Sequence, residues 1–503
     1  MGAERDAMRD VEIVDGGDLT LDPADPREPE PDRDASVRRR RARALRLLRR
    51  WWPVPLALVL ALVAVQVVQD TRLREVVEQR RTVDGVLHRA VDADLVPRAE
   101  DDRGLLWLQY TDIRTADGRI GFAEPASGSD SLLRAVDADG AVTWTHEFGG
   151  TGTPTGAGVP SCSGDGDPAT RVLCVVLEQK SVEQEDGYWT LAPPSAASLV
   201  TLDAQTGAVL GTEDLPPRTG GTAENGVLYL ASLAEDATTL TVTASDALTG
   251  AQRWTGTLPV DGGDWSQSDL ALRAPSVRVD RGHLVVDSIP VTWVIDPSDG
   301  TVEMTGSIGM GISRTGLVVE SSSATQMFDL DGTVLLSEAA APAGLAVDDG
   351  SVPDLEILVS QSQSTARTLT AVDPRTGRTA WTLERTGWQD AGMILLDDVL
   401  YGTTTRSAWA VDATTGRELW SAEALTASGT QAVTDGENLL VTTWGPADGP
   451  DGTVENRYLL TALRLSDGAT LWSTALPDGL QAVWSVGGDL VGFTEDGGLR
   501  VLD

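Results

Sequence analysis

Reactive side chains are scarce in this sequence. Its 503 residues include three histidines, two cysteines and a single lysine, Lys180. The histidines, His88, His146 and His283, are too few and too dispersed for a histidine-rich metal centre. There is no Gly-x-Ser-x-Gly elbow and no Gly-x-x-x-x-Gly-Lys loop, which excludes the usual frames for a serine nucleophile and for a cradled phosphate. Gly150-Thr-Gly-Thr-Pro-Thr-Gly156 contains proline and opens no helical pattern, so it reads as a loop. Asp137-Ala-Asp-Gly140, Asp329-Leu-Asp-Gly332 and Asp165-Gly-Asp167 lack the alternating ligands and terminal glutamate of a calcium loop and read as turns. Basic charge is also short: 39 Lys and Arg stand against 76 Asp and Glu, a net charge of −37. A phosphate backbone would be repelled by such a surface, so no nucleic-acid partner is expected. The acidity does not identify a partner, because it serves solubility in most proteins.

The basic residues that exist are unevenly placed. Residues 1–37 form an acidic, proline-rich tail with too little apolar surface to offset ordering entropy, and are expected to be disordered. Residues 38–50 then carry an arginine cluster, and Trp51-Trp-Pro-Val-Pro-Leu-Ala-Leu-Val-Leu-Ala-Leu-Val-Ala-Val-Gln-Val-Val68 is apolar apart from Gln66. Eighteen helical residues span about 27 Å, close to the thickness of a bilayer's hydrocarbon. One transmembrane helix is therefore expected over residues 51–69, with Trp51 and Trp52 in the interfacial belt. The arginines put the N-terminus in the cytoplasm and everything after Asp70 outside a cell membrane crossed once. A cleaved signal peptide is the rival reading, but no Ala-x-Ala site follows the apolar run. Residues 70–99 read as a charged helical stalk or linker.

Cys162 and Cys174 flank a short Gly/Asp/Pro-containing loop. They fit a disulfide if the compartment is oxidising, and the loop-entropy model gives such a bond roughly 2–4 kcal/mol. Two buried free thiols are the alternative.

Thr and Val are frequent, 52 glycines are scattered, and no long amphipathic helix pattern follows about Ala90, so residues 100–503 read as an all-β body. That body repeats itself. Leu369-Thr-Ala-Val-Asp-Pro-Arg-Thr-Gly-Arg-Thr-Ala-Trp381 matches Ala408-Trp-Ala-Val-Asp-Ala-Thr-Thr-Gly-Arg-Glu-Leu-Trp420, and related copies end at Trp144, Trp254 and Trp472. Degenerate copies surround Asp203, Asp296 and Asp329, and the chain ends on half a copy at Asp503. In each unit an apolar strand leads to an Asp that can cap the backbone, a Gly supplies positive φ, and a second strand ends in Trp. With the strands upstream, each unit supplies about four, which is one propeller blade. A ring recurring at one place in every blade is expected to pack between blades, so Trp144, Trp254, Trp381, Trp420 and Trp472 are assigned to blade packing.

The Asp-x-x-Thr-Gly-x-x-x-Trp repeat resembles the pyrroloquinoline-quinone-type (PQQ-like) β-propeller repeat, which also occurs in non-enzymatic members. The resemblance implies a propeller of four-stranded blades, eight of them with seven as the alternative, and the half-copy at Asp503 points to closure by strands from both chain ends, including Leu105–Tyr110. Members that use the quinone have adjacent cysteines, a calcium site and a catalytic Asp. Here the cysteines are eleven residues of loop apart and no catalytic segment matches, so no functional residue is carried over. The expectation is a binding or scaffold module without cofactor, meeting a protein or cell-envelope component through its loops. Insertions around Thr151–Ser195 and Asp261–Ser276, with Trp189 and Trp265, are candidate contact loops. The alternative is an oxidoreductase using the quinone, or calcium, in the central channel.

Overall fold

A computed structural model describes residues 66, 71–97 and 113–502 of the chain, apart from 124–130, 138–140, 149–159, 180, 184–188, 261–272, 308–309, 322–324, 339, 361–365, 387–391, 424–431, 449–452 and 495–498. The chain divides into two compact units, Met1–Arg74 and Glu75–Asp503. Of the first, Gln66 and residues 71–74 are described, all helical and exposed. No helix among the described residues is long and apolar enough to cross a membrane. The expected span over 51–69, with Trp51 and Trp52, lies outside the described residues save Gln66, as do the tail, the arginine cluster and Leu105–Tyr110.

The second unit is an all-β propeller. Its strands form nine successive blades, over residues 113–148, 161–215, 219–259, 276–307, 311–338, 340–386, 393–423, 433–475 and 480–502. Among the described residues, eight have four antiparallel strands of their own and the ninth has three. Blade 2 carries an inserted ribbon, Ser181–Glu183 paired with Trp189–Leu191, and blade 7 gains a parallel fifth strand, Leu345–Asp348. First strands of neighbouring blades touch at several junctions, which places them innermost. The ring closes where Arg119 of blade 1 donates to the Val486 carbonyl of blade 9 at 2.7 Å.

Nine blades correct the expectation of eight. Among the described residues the ninth blade consists of Leu480–Val486, Asp489–Thr494 and Leu499–Leu502, the last strand formed by the terminal half-copy, and Pro97 bridges Leu502.

Blade stacking explains why strand alternation is weak in much of the sequence. In Ser407–Asp412 the consecutive side chains of Ala408, Trp409, Ala410 and Val411 are all fully buried, because both faces of the sheet meet a neighbour. Outer strands instead face water, as in Val209–Leu215, where six of seven residues are exposed.

The segment before the first blade belongs to this unit. Its helix ends at residue 80, and the chain then lies against blades 7 to 9. Val86 is fully buried among Val347, Ile394 and Leu439, and Leu87 among Val433, Leu440, Leu490 and Leu502. The Leu87 amide donates to Thr434 and the His88 amide to Gly488, each at 2.8 Å. Residues 75–97 thus share one compact unit with the blades.

Candidate functional site

The repeated turn works as its composition suggests. Asp246 accepts the Thr249 backbone N–H and hydroxyl, each at 2.9 Å, and its own carbonyl accepts the Gly250 N–H at 2.8 Å. These donors favour the ionised carboxylate and hold its pKa at about 2, from an ordinary 3.8. Asp203, Asp373 and Asp412 are lowered by their own Thr partners in the same way.

The tryptophans sit at the junctions between blades. Trp144 donates its indole N–H to the Ala204 carbonyl at 3.0 Å, Trp254 to Pro297 at 2.9 Å, Trp381 to Ala413 at 2.7 Å and Trp420 to Leu465 at 2.8 Å. Each acceptor is the second residue of the next blade's turn. The ring then lies against that turn's glycine: a Cβ added to Gly207, Gly300, Gly416 or Gly468 would come within 2.6, 2.6, 2.7 and 2.5 Å of it. Trp472 is half-buried against the cluster that holds Leu480 and Leu490.

Three features of this joint were not read from the sequence. The motif glycine has a second role, seating the ring of the preceding blade. An alanine pairs directly with each ring across the sheet: Ala135, Ala244, Ala371, Ala410 and Ala462 face the five tryptophans. Each of these alanines lies two residues before the motif Asp (Arg464 in blade 8), so the signal was present in the repeat. The third is a register shift just before that position in eight blades, five of which carry the tryptophan there, a bulge that re-aims the side chain.

Cys162 and Cys174 form a disulfide. They are directly opposed on the neighbouring strands Ser161–Gly164 and Arg171–Glu178. Of the candidate loops, Trp265 and residues 151–159 lie outside the described residues, and Trp189 opens the inserted ribbon of blade 2. The histidines do not converge. His283 Nδ1 meets Glu303 at 2.6 Å, His146 packs edge-on to Phe148 with its pKa lowered by burial, and His88 covers Gly488.

Two surfaces remain as candidate sites. The first is a polar cleft of about 710 Å³ at the centre of the turn-bearing face, lined by Asp84, Arg114, Ser163, Asp167, Glu224 and Asn225 among others. Arg114 is held by Asp84 at 2.7 Å, and burial raises the pKa of Glu224. A quinone bearing several carboxylates would meet three carboxyl groups here and one arginine already paired, so the residues present do not fit that cofactor. Among the described residues, no group of three His, Cys, Asp or Glu side chains is placed to hold a metal ion.

The second is a ribbon on blade 8. Strands Asn438–Asp448 and Val454–Arg464 run eleven residues each, whereas the outer strand Thr470–Ala475 covers only part of their length. The surplus projects from the face opposite the Asp turns. Trp444, 42% exposed, meets Tyr458 edge-on at 4.7 Å, and Arg457 pairs with Asp478. A large ring left this exposed beside a tyrosine and an arginine has the composition of an interface anchor.

Residues 404–503 match the family model described as outer membrane protein assembly factor BamB. No curated protein matches the chain. Among solved structures it is similar to BamB from Moraxella catarrhalis, at 17% identity over 82% of this chain and 99% of that one, with a TM-score of 0.38. It is also similar to the quinohemoprotein alcohol dehydrogenase ADHIIG from Pseudomonas putida HK5, at 14% identity over 80% and 72%, with a TM-score of 0.33. A computationally designed protein, Ika8, is 12% identical over 78% of this chain and 95% of its own, at 0.36. The match over residues 404–503 is consistent with a propeller of PQQ-like repeats.

Proposed function

From a propeller of PQQ-like repeats, we propose that this chain is a membrane-anchored, extracytoplasmic binding or scaffold module for a protein of the cell envelope. The blade-8 ribbon carries the reading. It extends past the outer strand of its own sheet and leaves Trp444 exposed beside a half-buried Tyr458. Interface hot spots are enriched in Trp, Tyr and Arg, the residue types at 444, 458 and 457. The anchor rests on the apolar run 51–69 and the arginines before it, which orient the N-terminus inward. The disulfide supports an oxidising compartment.

Site-specific photo-crosslinking in cells tests this directly. A photoreactive residue at position 444 should give a discrete crosslinked product, and one at Leu248, exposed on a turn of the opposite face, should not. Identical patterns from the two positions, or none from 444, would sink the ribbon as the docking surface. Dye-linked dehydrogenase activity on adding quinone and calcium would favour the oxidoreductase instead.

A further inference from the structure

Not every blade junction contains a tryptophan. The residue four after the turn glycine is Gly211 in blade 2, Met304 in blade 4 and Leu336 in blade 5. The opposing glycines register the difference. A Cβ added to Gly250 or Gly332 meets nothing within 4 Å, although their φ values, +69° and +79°, match those of the glycines that seat a ring. At the junction of blades 4 and 5 the vacated place is a groove of about 400 Å³. Met304 and Phe328 give it apolar walls, Gly332 leaves its turn side open, and Glu303, Glu320 and Asp331 line it with carboxyl groups. Phe328 is 8% exposed and Met304 half-buried. The blade-5 turn is also one residue shorter, Asp329-Leu-Asp-Gly332 in place of Asp-x-x-Thr-Gly.

We propose that this groove receives a tryptophan side chain from a partner polypeptide, flanked there by arginine or lysine. The same chain puts an indole at the equivalent position of four other junctions, each time against a turn glycine and with its N–H on an oxygen acceptor. Here the apolar walls remain, the ring is missing, and three carboxylates supply acceptors and negative charge. Glu303 is already oriented by His283 and Glu320 by Ser307, so the rim is held in place before any ligand arrives. A cation beside the incoming ring complements that rim, and a net charge of −37 speeds encounter with a basic partner. The proposal does not depend on the blade-8 ribbon, which lies on another blade and at the opposite face.

Fluorescence anisotropy of a labelled peptide with a central Trp between two arginines, titrated with the purified full chain, tests it. Replacing the peptide Trp by Ala should weaken binding by more than about tenfold, as for a buried aromatic anchor. Met304→Trp should abolish binding and raise the melting temperature, because it supplies in cis the ring that the other junctions have. The pair Glu320→Gln and Asp331→Asn should weaken binding and flatten its dependence on salt. The proposal falls if the parent peptide does not bind, if its Trp→Ala form binds equally well, or if the Gln/Asn pair and a folded Met304→Trp chain both bind it as the wild type does.

Discussion

Gly468→Ala tests the blade joint most sharply, because the same substitution has two separable costs. Gly468 has φ +70°, and a Cβ there would lie 2.5 Å from the Trp420 ring. Gly250 has φ +69° and an open surrounding, so it carries the backbone cost alone. An L-residue held at positive φ costs about 1 kcal/mol. Forcing a methyl into a packed ring adds about 1–3 kcal/mol. Gly250→Ala should therefore destabilise by about 1 kcal/mol and Gly468→Ala by about 2–4 kcal/mol. Trp420→Ala, which removes a buried ring and its bond to Leu465, should cost about 3–5 kcal/mol. In that background Gly468→Ala should fall back to about 1 kcal/mol, leaving a coupling of about 1–3 kcal/mol in the double-mutant cycle. Urea titration followed by far-UV circular dichroism is the suitable assay. In a unit of about 430 residues the melting temperature moves only about 1 °C per kcal/mol, from an unfolding entropy near 2 cal/mol/K per residue. Equal losses at Gly250 and Gly468, or a Gly468→Ala loss that ignores the Trp420 background, would refute the ring-on-glycine joint.

Leu87→Ala should destabilise the propeller by about 2–5 kcal/mol, since the side chain is 1% exposed between blades 8 and 9. Hydrogen exchange should show the loss first at Leu499–Leu502, and unchanged protection there would mean that the upstream segment does not clasp the ring. The turn aspartates predict acid sensitivity. Their pKa values are lowered on folding, so the stability they contribute is present above the ordinary 3.8 and is lost as pH falls through the folded values, about 2 for Asp246. Melting temperature should therefore hold down to about pH 4 and decline below it, less steeply in Asp246→Asn; a decline that begins above pH 5 would point to other groups.

The turns were the most legible part of the molecule, for a local reason. Asp, Thr and Gly satisfy one another within five residues, so Asp246, Thr249 and Gly250 can be read without knowing what packs against them. The ring-bearing strand was legible too, because the same spacing recurs with Trp144, Trp254, Trp381, Trp420 and Trp472. Blade number was harder to read. The last three strands stop short of a full copy, and only their pairing, with Pro97 against Leu502, makes them a ninth blade. The candidate surfaces were less legible still. Trp444 belongs to no repeat, and its exposure depends on how far its two strands outrun the sheet.

Residue type and spacing alone specify the unit: strand, Asp-capped turn, strand, ring. Those features follow from contacts between residues close in the chain, whose energetics are set by residue type and spacing. What each unit does to the next emerges from long-range packing. Whether a turn glycine holds a ring or faces an open groove depends on the residue that the preceding blade presents, 43 residues away for Trp254 and Pro297 and 60 for Trp144 and Ala204. Packing across such separations is fixed by the closure of the whole ring, so Met304 looks like one more degenerate repeat position until Gly332 is seen across the junction from it.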